Sequence, residues 1–381
     1  MIIGVDVRVL LGAQYSGIGE YTFNLLTALI KEDKSNDYVL FYNSAKDLSG
    51  RLPKFDQANV SYVGRRLPNK LINYGLFKTL HWPRVDQLVN KHFDVFWMPH
   101  LNFMAWPMAK NFLTVHDLSF LRYREFFSAH NNFWHNQLKA PKLIQGADKI
   151  IAISANTKQD IVELTGVSPD KVAVVYSGVA ESYSRLEPAD PRLVAVKNKY
   201  QLPAKFILYL GTIEPRKNLV GLIEAYNYLR QTYPELAEFK LVLAGGDGWK
   251  FKAVYQAAKV SPFSQDIKFL GYVEAEDKCP LYNLASVFAF PSFYEGFGFP
   301  PLEAMASGTP VVASFVSSIP EVLGTAGLLI DPYDLREIGE ALAQVLLNQN
   351  LADSLSQRGL VRAQEFTWQK TAKQYLDIFN N

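Results

Sequence analysis

The 381-residue sequence predicts an α/β protein made of two doubly wound, Rossmann-like parallel sheets. Three observations predict it. The length is too great for one ordinary core and suits two domains. Short apolar runs alternate with amphipathic stretches almost throughout, the sequence form of strand-helix-strand crossovers. That alternation breaks once, between Glu181 and Ala204, where Pro188, Pro191 and Pro203 stand among mixed charges in the manner of a connector.

In the first half, strands are expected at Ile2 to Val5, Tyr38 to Tyr42, Val95 to Met98, Phe112 to Val115 and Ile150 to Ile153. One helix begins near Ile18 and another follows Ser154. The second half restarts with a strand at Phe206 to Leu210 and a helix over Leu219 to Arg230. Strands at Leu241 to Leu243, Ile267 to Leu270, Val287 to Phe290 and Pro310 to Ala313 follow. Beyond Asp331 the chain reads as two helices, the terminal one over Trp368 to Phe379 with Trp368, Ala372, Tyr375 and Phe379 on one face. The expected domains are 1–185 and 200–365.

Composition excludes several function classes. Charged residues make up 20% and the formal net charge is +2, so no global field favours nucleic acid. The one cysteine, Cys279, allows no intramolecular disulfide framework and fits a reducing, cytoplasmic setting. The opening Met1-Ile2-Ile3-Gly4-Val5-Asp6 does not read as a signal peptide, and no window approaches eighteen uninterrupted apolar residues. No Asp-x-Asp occurs, nor any His/Cys/carboxylate cluster with metal-ligand spacing, so neither a metal nor a cofactor is expected.

In open parallel sheets ligands sit beyond the carboxyl ends of strands, so loops after strands should carry the chemistry. The first such loop, Gly12-Ala13-Gln14-Tyr15-Ser16-Gly17-Ile18-Gly19-Glu20-Tyr21, opens the first helix. Its small residues allow close approach of backbone N–H groups to an anion or sugar, or form a plain tight turn. A nicotinamide dehydrogenase would want an acid closing the second strand, which ends instead at Asn43. The second loop, Gly211-Thr212-Ile213-Glu214-Pro215-Arg216-Lys217-Asn218, puts a planar fork and a point charge at a helix start, which suits a diphosphate.

The third loop runs Pro291-Ser292-Phe293-Tyr294-Glu295-Gly296-Phe297-Gly298-Phe299-Pro300-Pro301-Leu302-Glu303-Ala304-Met305-Ala306-Ser307-Gly308. Glu295 in the loop and Glu303 in the first helical turn can each accept hydrogen bonds from hydroxyls, one from a sugar and one from a ribose. Acids also favour helix starts for electrostatic reasons alone, which covers Glu303 but not the glycine-rich aromatic loop around Glu295.

Taken together, the Gly211 to Asn218 loop and the Glu295-Gly296-Phe297-Gly298-x-Pro300-x-Leu302-Glu303-Ala304 element resemble family 4 glycosyltransferases, and the similarity runs essentially end to end. The resemblance implies a GT-B fold, two Rossmann-like domains facing each other across a cleft, with the terminal helix 366–381 packed back on the first domain. It implies a metal-independent retaining enzyme moving a hexose from a nucleotide sugar to a glycan or lipid-linked acceptor in polysaccharide biosynthesis. By the same resemblance Arg216 and Lys217 bind the donor diphosphate, Glu295 holds donor-sugar hydroxyls and Glu303 binds the ribose. Gly17 sits beside the transferring sugar, and Phe297, Gly298, Phe299 and Leu302 complete the donor loop. Thr114-Val115-His116-Asp117 matches a family histidine near the reaction centre, so His116 joins Glu295, Arg216 and Lys217 as a catalytic candidate; a lone histidine after a strand is otherwise structural.

The sequence departs from the family at Ser177-Gly178-Val179-Ala180, where Asn-Gly-Val-Asp is usual. UDP-glucose and GDP-mannose are both open as donors, with UDP-glucose slightly favoured because uridine donors are widespread. On the acceptor side, Arg65, Arg66, Lys70, Lys78 and Arg84 are interleaved with Tyr74, Phe77 and Trp82, a face that can adsorb to an anionic membrane or be a solvated basic helix. The aromatic-rich region from Phe93 to Trp134 offers stacking surfaces for sugar rings, or domain packing. The competing functions are a nicotinamide-dependent oxidoreductase and a non-catalytic sugar-nucleotide-binding protein.

Overall fold

The structure, a computed structural model, describes residues 1–12, 15 and 17–380, without the side chains of residues 74–76, 79 and 80. It divides into two compact units. The first comprises Met1–Arg122, Ala129–Gly178 and Thr367–Asn381, the second Tyr123–Ser128 and Val179–Phe366.

The first unit holds a seven-stranded sheet among the described residues: β1 (Ile2–Asp6), β2 (Asp37–Asn43), β3 (Val60–Arg65), β4 (Val95–Met98), β5 (Lys110–Val115), β6 (Lys149–Ala152) and β7 (Val172–Val174). Every pairing is parallel, in the order β3-β2-β1-β4-β5-β6-β7. The direction of winding reverses between β1 and β4, which opens a crevice at the carboxyl ends of those two strands. Strands β4 and β5 are buried over nearly their whole length, as a sheet covered on both faces requires.

Helix α1 (Gly17–Glu32) follows the first loop. Helix α2 (Ala155–Thr165) starts where Ser154 Oγ accepts a hydrogen bond from Thr157 N at 3.0 Å, and it stops at Gly166 with φ near +70°.

The second unit repeats the plan with six strands among the described residues: β8 (Lys205–Leu210), β9 (Phe239–Ala244), β10 (Ile267–Gly271), β11 (Val287–Phe290), β12 (Val311–Ser314) and β13 (Leu328–Ile330). The order is β10-β9-β8-β11-β12-β13, again all parallel, with its switch point between β8 and β11. The proline-rich connector is not wholly irregular: Asp190 accepts from Arg192 N and starts helix α3 (Pro191–Lys199), with proline where its missing N–H costs nothing. Helix α4 (Leu219–Thr232) follows β8, and α5 (Phe299–Ala306) follows the glycine-rich loop.

Beyond Asp331 the chain forms three helices rather than two, α6 (Leu335–Leu347), α7 (Gln349–Ala363) and α8 (Trp368–Asn380). Asn348 breaks the run: it ends α6 and its side chain accepts from Leu351 N to start α7. Helix α8 belongs to the first unit and turns Trp368, Ala372, Tyr375 and Phe379 into its core.

The segment Tyr123–Ser128 clusters with the second unit although its sequence neighbours do not. Phe126 stacks on Phe293 at 5.6 Å, Phe127 stacks on Trp249 at 5.3 Å, and Trp249 Nε1 donates to Phe126 O at 2.5 Å. These rings of the aromatic-rich region therefore pack on the protein itself.

Candidate active site

The two loops singled out in the second half leave adjacent strands. Arg216 and Lys217 follow β8, Glu295 follows β11, and β8 pairs with β11 at the switch point. A backbone bond from Phe293 N to Arg216 O, 2.9 Å, ties the loops together.

Their charged groups meet in one cluster. Lys217 Nζ donates to Glu295 Oε1 at 2.6 Å, and Arg216 Nη1 donates to Glu295 Oε2 at 3.0 Å. Arg216 Nη2 also holds Glu214 Oε1 at 2.8 Å, and Nη1 holds the carbonyl of Tyr294 at 2.8 Å. The formal charges of Glu214, Arg216, Lys217 and Glu295 cancel, which makes the burial of Glu214, Lys217 and Glu295 beside a partly exposed Arg216 tolerable.

Burial pushes the Glu295 carboxyl up, but the charges of Arg216 and Lys217 and the hydrogen bonds outweigh it, so the group is held below its ordinary value. Burial, reinforced by the neighbouring Arg216 charge, moves the Lys217 ammonium down, with Glu295 opposing. The cluster thus holds two cations in a site of low polarity, where their field acts with little screening.

The backbone around Glu295 is cradled from β12's exit. Ser317 Oγ accepts from Glu295 N at 2.9 Å, and Ser318 Oγ donates to the carbonyls of Glu295 and Phe297 at 2.9 and 2.8 Å. Gly298 sits at φ near +112°, a backbone conformation that favours glycine between the loop and α5.

Phe297 and Leu302, expected to touch the donor, have buried side chains, and the Phe297 ring lies 5.1 Å from that of Phe299. Glu303, expected in the first helical turn, is the fifth residue of α5 and so lies past that turn, because the helix starts at Phe299; it is buried and accepts from Tyr282 Oη at 2.9 Å.

In the first unit, His116 follows the last residue of β5. Its Nε2 lies 2.8 Å from the carbonyl of Pro99, which can only accept, so Nε2 carries the proton. Burial lowers the proton affinity of the ring despite the Pro99 bond and the charge of Asp117, so the neutral ring presents Nδ1 as an acceptor. Asp117 itself accepts from Ser119 N and Oγ at 2.9 and 2.6 Å and so starts the next turn. Gly17 is the first residue of α1, and a Cβ there would meet nothing within 4 Å. Ala13, Gln14 and Ser16 of that loop lie outside the described residues.

Sequence reasoning assigned no role to Glu214, Tyr282, Ser317 or Ser318. The rule of strand ends would have pointed to the two serines, which follow β12, and Glu214 stands inside a loop already singled out.

It also passed over a group at the first unit's switch point. Fully buried Asp6 pairs with Arg8 at 2.7 Å, and Arg8 Nη2 donates to Phe103 O at 3.0 Å. His100 stands two residues beyond β4 with Nδ1 buried and unpaired. Burial pushes its pKa down to about 4, against an ordinary value of 6.5 and despite nearby Asp6.

Between these values the unfolded chain binds a proton that folded His100 refuses, so stability is present above pH 6.5 and fades as pH falls below it. The expected loss is about 2 kcal/mol at pH 5 relative to pH 7.5. Urea midpoints at the two pH values check this. If His100→Asn loses as much stability as the wild type does, His100 is not the source.

Asn43, where a dinucleotide site would need an acid, instead donates to Leu67 O at 3.0 Å and Asn69 Oδ1 at 2.8 Å. It serves its own loop. Among the described residues no group of three or more His, Cys, Asp or Glu is placed to hold a metal ion, and no helix is long and apolar enough to cross a membrane.

With this geometry in view, comparison with known proteins is specific. Residues 15–183 match the model of glycosyltransferase family 4, and residues 195–362 match that of glycosyl transferases group 1. The chain is 30% identical over 379 residues to the O-antigen chain mannosyltransferase B of Escherichia coli, covering 96% of both. It is 32% identical over 275 residues to a serotype-specific mannosyltransferase WbdA of Escherichia coli, covering 71% of this chain and 33% of that longer protein. Among solved structures, sucrose-phosphate synthase from Thermosynechococcus elongatus superposes with a TM-score of 0.73 at 20% identity over 100% of this chain and 98% of the other, which speaks to the fold. The two parallel-sheet units are those of the GT-B fold, and the chain is a glycosyltransferase belonging to family 4.

Proposed function

We propose that this glycosyltransferase moves a mannosyl group from GDP-mannose to a glycan or lipid-linked acceptor in cell-surface polysaccharide assembly, with retention at the anomeric carbon. The observation that carries the reading is the Arg216–Lys217–Glu295 cluster at the second unit's switch point, with Lys217 and Glu295 buried and Arg216 partly exposed. Two cations there suit a departing nucleoside diphosphate, and the carboxylate beside them suits a hydroxyl of the transferred sugar. Glu303 accepts a ribose hydroxyl alongside Tyr282, and His116 Nδ1 accepts a sugar hydroxyl near the reaction centre.

In the step itself the bond from the anomeric carbon to the phosphate oxygen breaks and a bond to the acceptor oxygen forms on the same face. The acceptor's proton passes to the leaving phosphate, whose negative charge Arg216 and Lys217 meet. This route calls for no divalent metal. The sequence alone tilts toward UDP-glucose; the mannosyltransferase names of both relatives described above tilt the reading to GDP-mannose.

A thermal-shift panel of GDP, UDP, ADP and NAD with a chelator present tests the donor series. GDP at 100 times its dissociation constant should stabilise by about 2.7 kcal/mol. A response to UDP alone would return the donor to the glucose series, and a response to NAD alone would overturn the whole reading. Turnover with an acceptor then separates an enzyme from a binding protein.

A lipid-linked acceptor brings the enzyme to a membrane surface, for which Leu71 (50% exposed) and Trp82 (62% exposed) are suited. Among the basic residues of that stretch, Arg65, Arg66, Lys78 and Arg84 each have a partner within the chain. The side chain of Tyr74 lies outside the described residues. Leu71→Asp with Trp82→Ala should cut co-sedimentation with anionic vesicles at least threefold, by lost apolar insertion. Unchanged sedimentation would remove membrane contact from the proposal.

A further inference from the structure

Helix α8 brings one hydroxyl into the core of the first unit. Tyr375 Oη lies 2.6 Å from Tyr21 Oη on α1 and 2.7 Å from Thr114 Oγ1 on β5, and Trp97 Nε1 donates to the same Thr114 oxygen at 2.9 Å. All four side chains are buried. An indole N–H only donates, so three hydroxyls satisfy one another in a place that water does not reach, and none can move without orphaning another.

The far end of this chain touches the candidate site. The Tyr21 ring stands edge-on to the His116 imidazole, 4.6 Å between centroids at 88°, and Trp368 of α8 meets Tyr21 at 5.4 Å. Thr114 stands in β5 two residues before His116, which leaves the strand's end. The imidazole therefore has two restraints: the Pro99 carbonyl at Nε2, and a tyrosine wall whose own hydroxyl is pinned by α8.

We propose that Tyr375 is a positioning residue: it holds Tyr21, and through Tyr21 it fixes the His116 ring in the orientation in which Nδ1 meets the sugar. The proposal rests on the reading that His116 contacts substrate. Helix α8 is then more than a structural closure of the first unit, since one of its side chains sets the geometry of the reaction.

A double-mutant cycle tests it, because a residue acting through His116 has nothing left to act on once the imidazole is gone. Tyr375→Phe keeps the ring and removes the hydroxyl. We expect kcat to fall about tenfold, with donor affinity and acceptor KM within twofold of wild type, and His116→Ala to lower kcat about a hundredfold, within the range for a lost general acid-base or polar contact. In the His116→Ala background, Tyr375→Phe should change kcat by less than a factor of two.

An undiminished tenfold loss in that background, or wild-type kcat in Tyr375→Phe alone, overturns the positioning role. Full turnover in His116→Ala instead overturns the site reading beneath it. Should His116→Ala fall below detection, the imidazole 15N shifts of His116 decide. A change of tautomer population in Tyr375→Phe supports the proposal, and unchanged shifts overturn it.

Discussion

Glu295→Gln is expected to lower kcat by about 10²- to 10³-fold, the scale of losing one preorganised polar contact to the transition state. The geometry makes a sharper statement about binding. Glu295 accepts from both Lys217 and Arg216, and while it is charged it neutralises them. The amide removes one negative charge from a cluster whose formal charges cancel, leaving it with an excess of one positive charge. Nucleoside diphosphate affinity should therefore hold or rise while turnover collapses.

Arg216→Ala gives the opposite pattern at the first step. It deletes the fork that holds Glu214, Glu295 and the Tyr294 carbonyl, and diphosphate affinity should fall along with turnover. Calorimetric titration of the nucleotide together with steady-state kinetics separates the two variants. If Glu295→Gln kept full transfer activity, the assignment of the glycine-rich loop to the donor sugar would be wrong. Loss of nucleotide affinity in Glu295→Gln, with no loss of fold, would show that the carboxylate organises the cations rather than holding the sugar.

The loop composition made much of this cluster legible. Residue types that bind a diphosphate and a hydroxyl stand after apolar runs, and the rule that ligands sit at strand carboxyl ends places them in one region. What sequence could not supply was adjacency. That β8 lies beside β11 follows from the strand order, and the order depends on which helix crosses which face, a long-range outcome that no window of sequence contains. Ser317 and Ser318 also follow a strand, β12, so the strand-end rule marks their loop, but that they reach the backbone of Glu295 is again a matter of adjacency.

Edge strands were the other gap. β3, β7 and β13 stand at the sheet edges: no residue of β3 is fully buried and Val60–Arg65 lacks the apolar run that marks β5 or β11, while β7 and β13 have only three residues each. Partial burial removes the composition signal on which strand reading relies. Phe297 and Leu302 show the reverse limit. A motif names the residues of a loop, but not which of them turn their side chains into the core.

Gly178→Ala is expected to destabilise the protein by about 3 kcal/mol or more, at the upper end of overpacking costs. A Cβ at Gly178 would lie 2.3 Å from Trp368 N, 2.6 Å from Thr367 C and 2.8 Å from Trp368 Cα. All three are backbone atoms, so no rotamer change relieves the contact and the start of α8 would have to shift. The chain leaves the first unit at Gly178 and returns to it at Thr367. The next residue out, Val179, donates its N–H to the carbonyl of Phe366 at 3.0 Å.

Two passages of the chain thus run against each other, and glycine is the residue that lets them. This gives a physical reason for the one glycine kept in Ser177-Gly178-Val179-Ala180, where the flanking polar residues usual in the family are absent. The melting midpoint should drop by roughly 6–12 °C, taking about 2–4 °C per kcal/mol for a domain of this size. Gly50→Ala, which meets nothing within 4 Å and has no left-handed φ, is the matched control and should change stability by less than about 0.5 kcal/mol. Equal stability of the two variants would mean that the approach of the backbones at residue 178 is looser than 2.3 Å implies, and with it the anchoring of α8. A Gly178→Ala variant that melts early while its kcat at low temperature stays near wild type would separate that anchoring from the Tyr375 contact, which acts two turns further along the same helix.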